Sequence, residues 1–203
     1  MPNNRLADMK QATGTAEASA ARRGGGRREE IMAVAARLFS SKGYSDASMR
    51  DIAREVGMLP GSLYYHFPSK EALFAAAHGA SVAAIRERAE QAVAEVEEPW
   101  ARLEAASAAH LEALLQQAAE ARIVIIDFST FPEKLRRELV RQRDAYEALF
   151  EALIDDLDLP TEQDRRLLRL GLLGSLNWVP KWYRPGGLSP AGIARAFVRQ
   201  LRP

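Results

Sequence analysis

The stretch from Ser48 to Leu73, SMRDIAREVGMLPGSLYYHFPSKEAL, leaves the backbone few choices. Ser48 followed three positions on by Asp51 is a helix-opening pair, in which each side chain can satisfy a backbone N–H of the other. Met49, Ile52, Ala53 and Val56 then recur on one helical face. Gly57 breaks that helix, and Pro60, which has no N–H to lose, suits the first position of a second. The connection from Gly57 to Leu59 is as tight as a helix-turn-helix requires. Phe67-Pro68 stops the second helix, because a proline pushes the residue before it out of helical backbone, and Ser69 caps the next one. Leu63 and Phe67 fall on the buried side with Ile52, whereas Gly61, Ser62, Tyr64, Tyr65 and His66 point outward and are small or hydrogen-bonding.

The remaining chain reads as helix throughout. Before the turn, Ile31, Val34, Ala35, Leu38 and Phe39 mark a helix from about Arg28 to Lys42, with Gly43 after its end. After it, Leu73, Phe74, Ala77, Ala84 and Ile85 continue a stripe to about Val96, some 40 Å of helix at roughly 1.5 Å per residue. Pro99 opens a fifth helix carrying Trp100, Leu103, Ser107, His110, Leu111 and Leu114. The run Arg122–Phe128 holds the β-branched cluster IVII, but a strand there would have no partner for its backbone groups, so a short helix is expected. Leu135, Leu139, Tyr146, Leu149, Phe150 and Leu153 define a helix from Pro132 to about Asp156. Thr161 is expected to cap another that reaches Tyr183, and Ser189-Pro190 opens a last one through Ile193, Phe197 and Leu201. The expected fold is all-α with about nine helices: a basic arm over residues 1–26 without apolar periodicity, a three-helix unit over 27–74, and a larger helical domain over 75–203.

Composition narrows the chemistry. With no cysteine among 203 residues, disulfides, thiolate metal sites and cysteine nucleophiles are excluded. No run of about 18 apolar residues could span a bilayer, and the first 30 residues lack a signal-peptide core. No membrane partner and a cytoplasmic location are therefore expected. The histidines His66, His78 and His110 fall in different helices without ligand spacing, and neither a nucleophile elbow nor a glycine-rich phosphate loop after a strand is present. Enzyme chemistry, a metal and a cofactor are accordingly not expected. The net charge of +1 is divided: residues 1–78 hold 11 Lys and Arg against 8 Asp and Glu, and residues 79–203 hold 17 against 19. The positive excess sits with the helix-turn-helix, as a few phosphate contacts would require.

Residues 27–74 resemble the DNA-binding domain of the TetR family of bacterial transcription regulators. The resemblance rests on a hydrophobic first helix ending in KGY, then SMRDIAREVG and GSLYYHFPSKEAL. It implies that Arg50, Leu59, Pro60, Gly61, Ser62 and Tyr65 face bases in double-stranded operator DNA, while Ser48, Tyr64, His66 and Lys70 hold phosphates. Of these, Arg50 alone offers a fork for a guanine edge; Leu59, Pro60 and Tyr65 would read thymine methyls and shape. Arg22, Arg23, Arg27 and Arg28 flank Gly24–Gly26 and either form a solvated tail or reach the duplex, Arg28 being well placed beside the first helix.

A single head covers only a half-site, so a homodimer is expected, with its heads about 34 Å apart or a multiple of that. Gly171, Gly174 and Ser175 make a small-residue strip that permits close helix packing, beside the apolar row Leu168, Leu172, Leu176 and Val179; this is the candidate interface. The C-terminal run NWVPKWYRPGGLS resembles the end of a TetR subgroup that includes regulators responding to CoA thioesters of fatty acids or of steroid-ring degradation products. It implies a small-molecule effector of that kind, although Gly171 and Gly174 stand where a basic residue would help hold a CoA phosphate. Polar residues on apolar faces, Ser107, His110, Gln117, Asp127, Gln142, Arg143, Asn177 and Trp178, are the candidate effector contacts. Taken singly each reads as a satisfied core or interface residue; their convergence on the fifth to eighth helices is what points to a ligand. The alternatives are a regulator sensing cationic or aromatic drugs, which needs more carboxylates than Asp127, and an effector-independent architectural DNA-binding protein.

Overall fold

The caps anticipated from the sequence set the boundaries of the helices. The structure, a computed structural model, describes residues 26–116, 121–125, 127–160 and 163–202. Among them are eight α-helices and one 3₁₀ turn, with no strand. Helix α1 spans 26–42. It is followed by α2 (Met49–Val56), α3 (Pro60–His66), α4 (Lys70–Val93), α5 (Pro99–Gln116), the 3₁₀ turn Ala121–Ile125, α6 (Glu133–Asp155), α7 (Arg165–Trp182) and α8 (Pro190–Arg199). No described helix is long and apolar enough to cross a membrane.

Several expectations need correction at their edges. Helix α4 ends at Val93 rather than near Val96, so its 24 residues span about 36 Å. Residues 123–125 of the IVII run lie in the 3₁₀ turn Ala121–Ile125, and Ile126 lies outside the described residues. Thr161 lies outside the described residues; Asp164 is the residue that caps α7, its carboxylate accepting from the Leu167 N–H at 3.0 Å. Pro180 sits inside the last turn of α7 without ending it there, and Tyr183 N still donates to Val179 O at 2.9 Å.

Two apolar clusters fill the interior. The first joins α1–α4, with Ile31, Phe39, Ile52, Leu63, Phe67 and Phe74 among its fully buried members. Phe39, Tyr44, Phe74 and Phe131 meet at centroid distances of 4.6–5.9 Å, mostly edge to face. This cluster does not stop at the three-helix unit. Ile123 of the 3₁₀ turn, Phe131, and Leu135 and Leu139 of α6 complete it. The second cluster packs α4 and α5 against α6, α7 and α8 around Leu103, Leu111, Phe150, Leu176 and Val198.

The two clusters adjoin at α4 and α6, where a polar clasp crosses between them. His78 Nδ1 lies 2.7 Å from Gln142 Oε1, and Gln142 Nε2 donates to Ala75 O at 3.2 Å and to Glu138 Oε1 at 2.7 Å. Because both amide hydrogens are committed to oxygens, the Gln142 oxygen faces the ring and His78 Nδ1 donates to it. Burial depresses the His78 pKa below its ordinary value, partly offset by the Gln142 bond and the nearby Glu138 carboxylate.

Candidate nucleic-acid interface and ligand cleft

The helix-turn-helix is built by its own caps. Ser48 Oγ accepts from Asp51 N at 3.1 Å, and Asp51 Oδ2 accepts from Ser48 N at 3.3 Å and from its hydroxyl at 2.7 Å. Those bonds from Ser48 hold the Asp51 carboxyl below the usual carboxylate range. At the other end of α2, Gly57 takes a left-handed φ of 72°. Met58 N then reaches Ala53 O at 2.9 Å and Gly57 N reaches Arg54 O at 3.1 Å, the paired bonds of a glycine-ended helix. Helix α3 starts on Pro60 with no side-chain cap at Leu59.

This geometry turns Leu63 and Phe67 inward and leaves a continuous outer surface. Leu59 is 75% exposed and Tyr65 88%, with Pro60, Gly61 and Ser62 exposed between them. Arg50 and Ser48 are exposed on α2, Tyr64 is half exposed, and His66 is half-buried with its ring 5.7 Å from that of Tyr65. Large apolar side chains standing in solvent beside hydrogen-bonding ones are the kind of surface that groove contact needs.

The cations around this surface are already oriented. Arg28 stacks over the Phe67 ring at 4.4 Å. Arg27 pairs with Glu30 at 2.6 Å and donates to Val56 O at 3.2 Å, which ties α1 to the end of α2. Lys70 lies 4.5 Å from the Tyr44 ring centroid and donates to Ser45 O at 3.1 Å. Tyr44 in turn donates to Glu71 at 3.2 Å, and burial together with that carboxylate pushes its phenol up to about 12. Arg22 and Arg23 lie outside the described residues.

An open cleft of about 470 Å³ lies in the larger domain. Val124, Ile125, Asp127, Phe128 and Ser129 form one wall, Arg136, Val140 and Arg143 of α6 another, and Gly174, Asn177, Trp178 and Lys181 of α7 the third. Of the anticipated effector contacts, Asp127, Arg143, Asn177 and Trp178 come together here. Asp127 is committed locally, accepting from Ser129 N and its hydroxyl at 2.8 Å each, bonds that hold its carboxyl low. Arg143 pairs with Asp144 at 3.0 Å and Glu147 at 3.3 Å.

Three of the anticipated contacts are not cleft residues. Ser107 is fully buried, its hydroxyl without a partner among the described residues. His110 is buried behind the cleft against Tyr146 and Asn177. Gln142 faces α4 in the clasp with His78 and Ala75. Gln117 lies outside the described residues. Arg136 and Lys181 line the cleft without having stood out in the sequence, because each reads there as one more solvated charge on a helix; only the fold brings them to one rim.

The proposed interface row also divides. Leu172, Leu176 and Val179 are buried at 5% exposure or less in the core of their own subunit, so they are interior rather than interface, and Leu168 packs partly against the same core. The opposite face of α7 carries exposed Leu167, Leu170, Trp178 and Trp182 together with exposed Gly171, Gly174 and Ser175. The small residues are thus open to solvent as expected, but the large apolar residues beside them are these four and not the row on the buried side of the helix.

The family model described as "Bacterial regulatory proteins, tetR family" matches residues 31–77, and that described as "Tetracyclin repressor-like, C-terminal domain" matches residues 96–202. The HTH-type transcriptional repressor KstR2 of Rhodococcus jostii (strain RHA1) is 30% identical over 171 residues, covering 80% of this chain and 82% of the relative. Among solved structures, AibR in complex with isovaleryl coenzyme A and operator DNA superposes with a TM-score of 0.74 at 25% identity, covering 86% of this chain and 97% of that one. PfmR, a TetR family transcriptional regulator from Thermus thermophilus, superposes with a TM-score of 0.70 at 26% identity, covering 84% and 96%. An exposed, cap-built helix-turn-helix and matches running from residue 31 to residue 202 lead to one conclusion: the chain belongs to the TetR family of bacterial transcriptional regulators.

Proposed function

We propose that the protein is a homodimeric repressor released from its operator when a CoA thioester enters the cleft between α6 and α7. The observation that carries this reading is the composition of the cleft. Its lining joins apolar Val124, Ile125, Phe128 and Val140 to Arg136, Arg143 and Lys181, with Asp127 the one carboxylate among the lining residues; Arg136 is paired with Glu133, and Arg143 with Asp144 and Glu147, just outside it. Lys181 has no ion-pair partner among the described residues. An acyl chain on the apolar part of the lining would leave an anionic headgroup to the cationic side chains, and the open mouth lets the bulk of that headgroup remain outside. The relative AibR, crystallised with isovaleryl coenzyme A and operator DNA, supports the same ligand class.

A sensor of cationic drugs is disfavoured by the same inventory, because Asp127 is occupied by Ser129 and faces three positive side chains. The chain is then a regulator rather than a catalyst, with Arg50, Leu59, Pro60, Gly61, Ser62 and Tyr65 toward the bases and Ser48, Tyr64, His66 and Lys70 toward phosphates. Dimerisation uses the exposed face of α7, where Gly171 allows close approach and Leu167, Leu170 and Trp182 supply apolar area, while Gly174 belongs to the cleft wall. Occupation of the cleft favours one α4–α6 arrangement over another, and that differential affinity changes the spacing of the two heads.

The test is a fluorescence-anisotropy titration of labelled promoter DNA with the protein, followed by free CoA and a panel of CoA thioesters. Release by at least one thioester and not by CoA alone is the expected result. If no thioester releases the DNA, the ligand class is wrong.

A further inference from the structure

Behind the cleft, α5 and α6 bring His110 and Tyr146 together in the core, at 1% and 4% exposure. Their rings stack at 5.7 Å and 16°, with Phe150 edge-on to His110 at 6.0 Å. His110 Nδ1 lies 2.7 Å from the Tyr146 hydroxyl, and Nε2 lies 3.1 Å from Asn177 Oδ1 on α7. A buried polar group left unpaired costs roughly 1–3 kcal/mol, so the proton positions follow from satisfying all of them. Asn177 Oδ1 can only accept, so Nε2 carries the imidazole hydrogen. Nδ1 is then a lone pair and takes the phenolic O–H, which has no other acceptor among the described residues. The reverse arrangement, with the imidazole hydrogen on Nδ1 and the Asn177 amide turned over, would leave the phenolic hydrogen stranded in the core.

The consequence appears at the cleft wall. Asn177 turns its oxygen inward to His110, which leaves both Nδ2 hydrogens for the cleft, without an acceptor among the described residues. Gly174, one turn earlier on the same wall, has no side chain to cover them. The histidine is kept in this role by its surroundings: burial pushes its pKa down to about 4, partly offset by the Asn177 bond, so near neutral pH it remains an uncharged relay with one fixed tautomer.

We infer that Asn177 recognises the carbonyl oxygen of the effector's acyl group, and that Tyr146 and His110 are positioning residues that hold its amide as a donor. This rests on the reading above that a CoA thioester occupies the cleft. It adds a specificity: the site distinguishes a thioester from the same chain attached through a plain thioether, because only the first offers the acceptor.

The test is calorimetric titration with pairs of ligands, each acyl-CoA from isovaleryl to palmitoyl beside its S-alkyl-CoA thioether of equal length. The wild-type protein should prefer thioester over thioether by about tenfold, the value of one well-placed hydrogen bond. In Asn177→Leu the preference should fall to near one, with thioether binding little changed. Tyr146→Phe, which removes the hydroxyl that fixes the His110 tautomer, should reduce the preference and also lower the melting temperature, because it leaves Nδ1 unpaired in the core. If wild type shows no preference, or Asn177→Leu retains it, the inference is overturned while the effector class stands. If no ligand of either series binds, the effector reading falls, and this inference with it.

Discussion

The head and the larger domain bury different things. In the head, α1–α3 present an interior that is apolar apart from the buried Ser40 hydroxyl, and most of their polar work is done at the ends of helices: Ser48 and Ser69 cap, Gly57 turns, and Arg27 ties α1 to α2. In the larger domain Ser107 and His110 are buried outright, His78 lies on the border, and the polar contacts cross between helices. A head that acts through its outer surface can have a plain core. On the function proposed above, a domain that receives a ligand among its own helices carries hydrogen-bonding groups inward, at a cost in stability that hydrogen bonds offset for His110 but not for the unpartnered Ser107 hydroxyl. The two are nevertheless not independent bodies, since Phe131, Leu135 and Leu139 belong to the core of the head.

The sharpest way to break this comparison is Phe74→Ala. Phe74 is fully buried at the meeting of the head with Phe131, and a truncation of this kind costs about 3–5 kcal/mol. Chemical denaturation followed by both near-ultraviolet and far-ultraviolet signals should show one transition displaced as a whole. A shifted head transition beside an unshifted second one would mean that the shared core does not couple the two regions.

Acid should act on the larger domain. His110 is neutral when folded, with its pKa lowered to about 4, whereas an unfolded imidazole protonates near its ordinary 6.5. The unfolded chain therefore binds the extra proton between those values, so the contribution is complete above pH 6.5, is lost as pH falls, and levels off below 4. From pH 7 to pH 5 this one residue removes about 2 kcal/mol of unfolding free energy, and His78, shifted in the same direction by burial, adds to it. Denaturation midpoints that are flat across this range would contradict the buried neutral relay.

The smallest expected effect belongs to the head. Gly57→Ala places a side chain at φ 72°, where an L residue costs about 1–2 kcal/mol. Nothing lies within 4 Å of the added methyl, so the penalty is one of backbone conformation alone. It should appear as a loss of that size in denaturation, with a modest weakening of operator binding as the α2–α3 angle relaxes. An unchanged midpoint would show that the turn can adopt another conformation without loss.

How much could be read in advance follows the same division. The caps Ser48, Ser69 and Ser189 and the turn at Gly57 are interactions between residues three to five apart, so the chain declares them locally. The His110–Asn177 bond joins residues 67 apart, and the His78–Gln142 bond residues 64 apart. Periodicity could mark those side chains as polar intruders on apolar faces, but not which of them would meet each other and which would meet a ligand. Helix α7 misled for a further reason: it is apolar on two sides, so Leu172 and Leu176 looked as suited to a partner subunit as Leu167 and Leu170. Its true start at Asp164 was hidden by Thr161, an equally good capping residue three positions earlier.

Gly79 shows what the clasp between α4 and α6 demands of the gene. A Cβ built there would stand 3.2 Å from Gln142 Nε2 and 3.3 Å from its neighbouring amide atoms. A free glutamine could swing aside, but this one is fastened to His78, Ala75 and Glu138, so making room means breaking those bonds or parting the helices by a few tenths of an ångström. An alanine at position 79 therefore comes only with a break in that clasp or with that small parting of the helices. The separation of the two helices is encoded by a missing methyl group.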